Sequence, residues 1–329
     1  MKYLFSVLLI FLVACGTSKL NDGTNHDQMN NNIPGENNST MVGYIAEISD
    51  ESVLVVEKSI QQPFEEIPIE ETYVKAGNAI IFQLEKQESL DLFQIGEKVE
   101  VTYNALAESY PGQSTALDIK RVADEINDVI FYQARYENLI QLELFVQAIQ
   151  NGMDKQIRVV HYTTEGDPVF KVYSYLNGQI SVVVDRSQDQ YGSEDNKISQ
   201  FTCDQLEYYL TDDQMISFDL VGCDANEATS LLMAEIELSE MIIPEQIYTR
   251  VLVRAGDNVL FDTTDREEIN GIVDKVRSSK AQSIAAITLM QPDGELVLSG
   301  KGANIVFDFY KAGNLVRMNS YLETDLSIK

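Results

Sequence analysis

Val169-Phe170-Lys171-Val172-Tyr173-Ser174-Tyr175-Leu176-Asn177-Gly178-Gln179-Ile180-Ser181-Val182-Val183-Val184-Asp185 is the stretch whose reading decides the fold. Two runs rich in β-branched and aromatic residues flank Asn-Gly, the strongest short signal for a two-residue hairpin. Just upstream, Ile157-Arg158-Val159-Val160-His161-Tyr162 predicts another strand, with Glu165-Gly166-Asp167-Pro168 as the turn between. Further back, Leu139, Leu142, Phe145, Val146 and Ile149 fall on one stripe at helical period, so residues 136–150 predict a helix, ended by Asn151-Gly152. Downstream, Met215 to Val221 predicts a further strand between Cys203 and Cys223. Strands with one covering helix make an α+β unit.

Similar patterning extends to both sides. Residues 42–48, 53–56, 78–84 and 98–103 alternate, are rich in β-branched residues and lie close together, which predicts a small barrel or sandwich. Residues 225–240 are helix-prone and read as a connection to the last unit. In that unit Asp265-Arg266-Glu267-Glu268 opens a helix with a capping-box pattern, and Ile269, Ile272, Val273 and Val276 form its buried stripe. Strands are expected at 247–260, 283–290, 295–299, 304–310 and 315–321. The whole is α+β and β-rich: a small β domain, barrel or sandwich, over 41–123, then two sheet-plus-helix domains over 124–226 and 227–329.

The first forty residues are of a different kind. Lys2 is followed by an apolar run, Tyr3 to Val13, shorter than the roughly 20 residues that cross a bilayer and matched to a signal-peptide core. Leu12-Val13-Ala14-Cys15 resembles the lipobox of bacterial lipoproteins. The resemblance implies cleavage after residue 14, a diacylglycerol thioether on Cys15, and a body held on the extracytoplasmic side of the cell membrane, with the lipid as its contact to the bilayer. Gly16 to Thr40 is crowded with Asn, Asp, Ser, Thr and Gly and predicts a flexible tether.

Two further stretches carry resemblances. Gly96-Glu97-Lys98-Val99-Glu100-Val101 with Glu108-Ser109-Tyr110-Pro111-Gly112-Gln113 is similar to OB-like domains of unknown function in lipoproteins of Bacillota. Residues 158–168 (RVVHYTTEGDP) with 187–192 (SQDQYG) resemble a second domain family of unknown function, from extracytoplasmic proteins of the same phylum, and the cysteine pair sits where that family's pair sits. Both resemblances imply fold and address and no chemistry. The C-terminal unit is faintly similar to other small modules of such lipoproteins, without matching residues.

Composition narrows the function classes. Asp and Glu number 52 against 24 Lys and Arg, a net charge of −28. A polyanion repels phosphate backbones, so nucleic acid is excluded as the expected partner. With Cys15 given to lipid, Cys203 and Cys223 remain as an even pair, which an oxidising compartment bridges. A loop of about 21 residues corresponds to roughly 3 kcal/mol. A metal site and a redox pair are the alternatives, with only His26 and His161 as further ligands.

Two weak constellations complete the reading. His161 with Glu165 and Asp167 is the candidate for acid–base chemistry, as in a cell-envelope hydrolase. Asp185, Asp189, Glu194 and Asp195 give one loop the acid density of a calcium site, but glycine stands eighth and Asn196 twelfth, off the EF-hand pattern. GxxxxGK[ST], GxSxG, HExxH and CxxC are all absent from the chain. No cofactor is expected. The expected role is non-catalytic binding of an envelope protein or a small ligand, with a hydrolase and a divalent-cation binder as alternatives.

Overall fold

A computed structural model describes residues 38–59, 68–84, 90, 93–133, 135–192, 197–224, 230–284, 291–310, 313–324 and 326. The leader, Cys15, His26, most of the tether, Glu194 and Asp195 lie outside the described residues.

The N-terminal unit is a closed five-stranded barrel of order β1-β2-β3-β5-β4. Its strands are β1 (Ser39–Ile48), β2 (Ser52–Val56), β3 (Ala79–Leu84), β4 (Lys98–Tyr103) and β5 (Gly112–Arg121). β3 and β5 run parallel, the other neighbours antiparallel, and β1 closes on β4 from Ser39 opposite Tyr103 to Tyr44 opposite Lys98. Ile45, Val53, Val55, Phe82, Val99 and Val101 are fully buried inside. At Gly43 a side chain would meet the carbonyl oxygen of Val56 at 2.3 Å, so only glycine lets β1 pass there. Helix α1 (Ile69–Ala76) precedes β3.

β6 (Val129–Tyr132), β7 (Arg135–Glu137), β8 (Lys155–Tyr162), β9 (Pro168–Leu176), β10 (Gln179–Asp185) and β11 (Ile198–Cys203) form a six-stranded sheet of order β11-β10-β9-β8-β6-β7. The β9–β10 hairpin turns on Asn177 and Gly178, both at positive φ, as the Asn-Gly signal requires. α2 (Leu139–Gln150) crosses one face and buries Leu139, Leu142, Phe145 and Val146 against it. The opposite face carries Arg158, Val160, Phe170, Val172, Val183 and Asp185, by strict alternation from the paired register of β8, β9 and β10. That face meets the barrel.

β12 (Gln205–Leu210), β13 (Met215–Val221) and β14 (Ser230–Glu237) form a separate three-stranded sheet, followed by the one-turn α3 (Leu238–Met241). Here the structure corrects the sequence. Of the helix expected over 225–240, residues 225–229 lie outside the described residues, Ser230–Glu237 is a strand, and the chain is helical only from Leu238, because β13 offers a paired edge from Met215 opposite Glu237 to Val221 opposite Ser230. Pairing and burial override local helix propensity. Cys203 and Cys223 are disulfide-bonded, tying the six-stranded sheet to this one. Asp224 reinforces the junction by accepting from Thr202 N (2.6 Å) and Oγ1 (2.9 Å).

The last sheet has seven strands in the order β16-β15-β18-β19-β20-β21-β17, with β15 (Tyr248–Ala255), β16 (Asn258–Thr263), β17 (Lys280–Ser283), β18 (Gly294–Gly300), β19 (Asn304–Phe309), β20 (Leu315–Arg317) and β21 (Ser320–Glu323). The single strand expected over 315–321 is a hairpin. Met318 and Asn319 both adopt positive φ and reverse the chain, a turn written without glycine. α4 (Arg266–Arg277) buries Ile269, Val273 and Val276 against the sheet. Asp265 caps it by accepting from Glu267 N and Glu268 N. The return arm of the box runs through Thr263, whose hydroxyl donates to Glu268 Oε2 and accepts from Asp265 N. One continuous apolar core runs from Val129 to Leu326, through all three sheets.

Candidate functional site

Six charged side chains meet in the seam between the barrel and the six-stranded sheet: Glu97, Arg121, Asp124, Asp128, Arg158 and Asp185, all less than a tenth exposed. Each is delivered by a defined element. Glu97 precedes β4 and Arg121 ends β5, so both hang from one end of the barrel. Asp124 and Asp128 lie in the linker to β6, and Arg158 and Asp185 project from the sheet face turned to the barrel.

Arg121 bridges the two bodies. Its Nε donates to Glu97 Oε2 at 3.2 Å and its Nη1 pairs with Asp185, while the guanidinium lies 4.8 Å from the centre of the Phe93 ring. Arg158 clasps Asp128 in a two-pronged contact, Nε to Oδ1 at 2.9 Å and Nη2 to Oδ2 at 2.8 Å, and Nη2 also donates to the Val122 carbonyl at 3.1 Å. Its Nη1 reaches Glu97 at 3.7 Å without a hydrogen bond. Asp128 in turn accepts from Asp124 N at 2.8 Å, and Gln156 Nε2 donates to Gln94 Oε1 at 2.5 Å across the same seam.

Four carboxylates stand against two guanidinium groups, and the electrostatics follow from that count. Burial raises the Glu97 carboxyl pKa, with Arg121 and then Arg158 pulling the other way. Burial likewise raises Asp128, opposed by the Arg158 hydrogen bonds and charge. Burial works against the charge on Arg158, but Asp128 and Glu97 outweigh it and leave its pKa raised. A cleft of about 210 Å³ opens beside Arg158 and Glu97, lined by Gln94, Gln141, Gln156 and Asn127. Chemically the cluster is a clamp: the pairs of Arg121 with Glu97 and Asp185 and of Arg158 with Asp128 fix the barrel to the sheet, while Asp124 accepts from Ile126 N and Asn127 Nδ2.

Cys203 and Cys223 form the expected disulfide, and the other residues singled out in the sequence that the structure describes lie as follows. His161 sits on the α2 side of β8, stacked on Phe131 at 4.6 Å between ring centres, and its Nε2 has no hydrogen-bond partner. Burial, with Lys171 nearby, pushes its pKa down to about 3. Glu165 is exposed in the turn, and Asp167 Oδ2 accepts from Gln190 N at 2.9 Å. No hydrogen bond or ion pair joins His161 to either acid among the described residues. Asp185 belongs to the clamp, and Asp189 Oδ1 accepts from Tyr191 N (3.1 Å) and Gly192 N (2.9 Å) in its own turn. Among the described residues no cluster of three or more His, Cys, Asp or Glu could hold a metal. Sequence reasoning missed Glu97, Arg121, Asp128 and Arg158. The available signal was Arg158 itself, a charge on the same strand face as Val160.

Comparisons with known proteins bear on each body separately. Residues 42–123 match DUF3221, a protein family of unknown function. Residues 126–215 match DUF4362, a domain of unknown function. Among solved structures, the chain is similar to a crystal structure of a YobA protein from Bacillus subtilis subsp. subtilis str. 168, at 22% identity over 26% of this chain and 97% of that one, with a TM-score of 0.23. It is also similar to the NMR structure of Bacillus subtilis YobA 21–120, at 19% identity over 30% of this chain and 92% of that one, with a TM-score of 0.24. No curated protein matches the chain.

Proposed function

We propose that the chain is a lipid-anchored protein of the extracytoplasmic membrane face that works by binding, as an interaction module of the cell envelope. The address is carried by Leu12-Val13-Ala14-Cys15 at the end of a short apolar leader. The Cys203–Cys223 bond supports it, since disulfides persist in oxidising compartments. Binding rather than catalysis is supported by His161, which is partly buried, stacked on Phe131 and held neutral far below its ordinary pKa. A base near neutral pH needs the opposite setting.

The address is tested by growing the native host with a tagged palmitate analogue and fractionating the cells. Label in the protein and recovery with membranes are expected, and Cys15→Ala abolishes both. Mass spectrometry finding Met1 and an unacylated Cys15 in the mature protein overturns the reading. The binding role is tested by crosslinking the anchored protein in situ, where capture of a discrete envelope partner or ligand is expected. A hydrolytic activity lost in a folded His161→Ala variant would instead make it an enzyme.

A further inference from the structure

A second site lies on the other side of α2. Where the helix meets the last sheet, a cleft of about 540 Å³ opens between α2, Tyr208 of β12 and the outward face of β19 and β20. At its floor Glu143 and Arg317 are both more than nine-tenths buried and form an ion pair. Arg317 commits Nη1 to the carbonyls of Met241 (3.0 Å) and Ile242 (2.8 Å), and its Nη2 holds Glu143 Oε2 in the ion pair.

The amides around this floor are turned in one sense. Gln147 Nε2 donates to Glu143 Oε1 (2.7 Å) and to the Asn304 carbonyl (3.0 Å). Asn151 Nδ2 donates to the Gln147 carbonyl (2.7 Å), and Asn319 Nδ2 to the Tyr208 carbonyl (2.8 Å). Each of those partners can only accept, so the orientation of each amide is fixed and its oxygen is the atom left without a partner among the described residues. Asp308, exposed on the outward face of β19, adds a carboxylate to the lining, and its pKa is raised by partial desolvation and then by Glu295.

We infer that this cleft binds a small organic ligand through a primary ammonium group. Glu143 and Asp308 against Arg317 leave the site one negative charge in excess. Among the open positions acceptors outnumber donors: the amide oxygens and the Asp308 carboxylate stand against the Tyr208 hydroxyl, which accepts from Gln150 Nε2 at 2.7 Å, and the second hydrogens of Asn151 and Asn319 Nδ2. An ammonium brings three donors and no acceptor, whereas an uncharged polyol brings an acceptor with every donor and no charge to offset Asp308. A bare metal ion is disfavoured by the donor set, which has no group of three acids or histidines among the described residues. The site does not depend on the lipid anchor, so its failure leaves that reading untouched.

Calorimetry on the full chain in detergent tests the inference, with spermidine and glucosamine as probes and glucose and calcium chloride as contrasts. Both amines bind, glucose binds at least about tenfold more weakly, and Asp308→Asn weakens the amines about tenfold, the loss of one charged hydrogen bond. Gln150→Lys, on the exposed end of α2, places a competing ammonium in the cleft and abolishes binding without touching its floor. Equal binding of glucose, displacement of the amines by calcium, no heat with either amine at millimolar concentration, or amine binding unchanged in both variants overturns it.

Discussion

His161 makes the sharpest thermodynamic prediction. Its ring is partly buried and stacked on Phe131, its buried Nε2 lacks a hydrogen bond, and its folded-state pKa is pushed down to about 3 from an ordinary 6.5. A base whose folded pKa is depressed contributes stability above its unfolded pKa and loses it as pH falls, here through the window from 6.5 to about 3. A displacement of about 3.5 units at 1.36 kcal/mol each corresponds to a loss of about 5 kcal/mol, most of it complete by pH 4. His161→Leu removes the titration. At pH 7.5 the variant is as stable as the natural protein or gains about 1 kcal/mol, because an unsatisfied buried nitrogen is replaced by an apolar group. Urea unfolding of both proteins at pH 7.5, 5.5 and 4 measures the difference, in which Glu97, Asp128 and every other acid cancel. The variant gains steadily relative to the natural protein as pH falls. A difference that stays flat from pH 7.5 to 4, or an imidazole NMR titration with a midpoint near 6.5, refutes the burial argument and reopens a catalytic role.

Three further outcomes follow from the packing. Arg158→Met strands Asp128 in the seam, leaves Glu97 with Arg121 alone, and costs about 3–5 kcal/mol in urea unfolding at pH 7. Their carboxyls already have raised folded pKa values, so each contributes stability at low pH that is lost as pH rises through that value; the Arg158→Met deficit therefore shrinks as pH is lowered toward 4, and a pH-independent deficit contradicts the clamp. Replacing Cys203 and Cys223 together by serine costs about 3 kcal/mol, read as a lowered urea midpoint that reducing agent reproduces in the natural protein. Gly43→Val drives a side chain into the Val56 carbonyl and destabilises the barrel by about 1–3 kcal/mol or more, measured by hydrogen exchange of the β1 and β2 amides; full protection would refute the close approach.

Much of the architecture was legible because its signals are local. Asn177-Gly178 announces its hairpin, the α2 stripe and the Asp265 cap each lie within one helix, and barrel strands β1 to β4 are short runs rich in β-branched residues. What escaped depends on partners far along the chain. β5 carries Asp118, Lys120 and Arg121 and reads as polar, yet it holds both β3 and β4. β14 is helix-prone until β13 gives it an edge. Glu143 sits within the apolar stripe of α2 and looks like a surface glutamate, until Arg317 arrives from 174 residues downstream in the chain. The clamp escaped for the same reason, since its ion pairs join residues as much as 64 positions apart. The Asp185 loop was noticed for its acids, and the structure pairs Asp185 with the Arg121 guanidinium.

The pairing of β13 with β14 separates inheritance from folding. The second family match stops at Met215, the first residue of β13. A fragment cut there keeps the residues matched to the family, yet it parts β12 from β13, its neighbour among the described strands, leaves Cys203 with a lone thiol, and opens an apolar core that continues to Leu326. A piece trimmed to the match is therefore expected to be less stable than one carried on through β14.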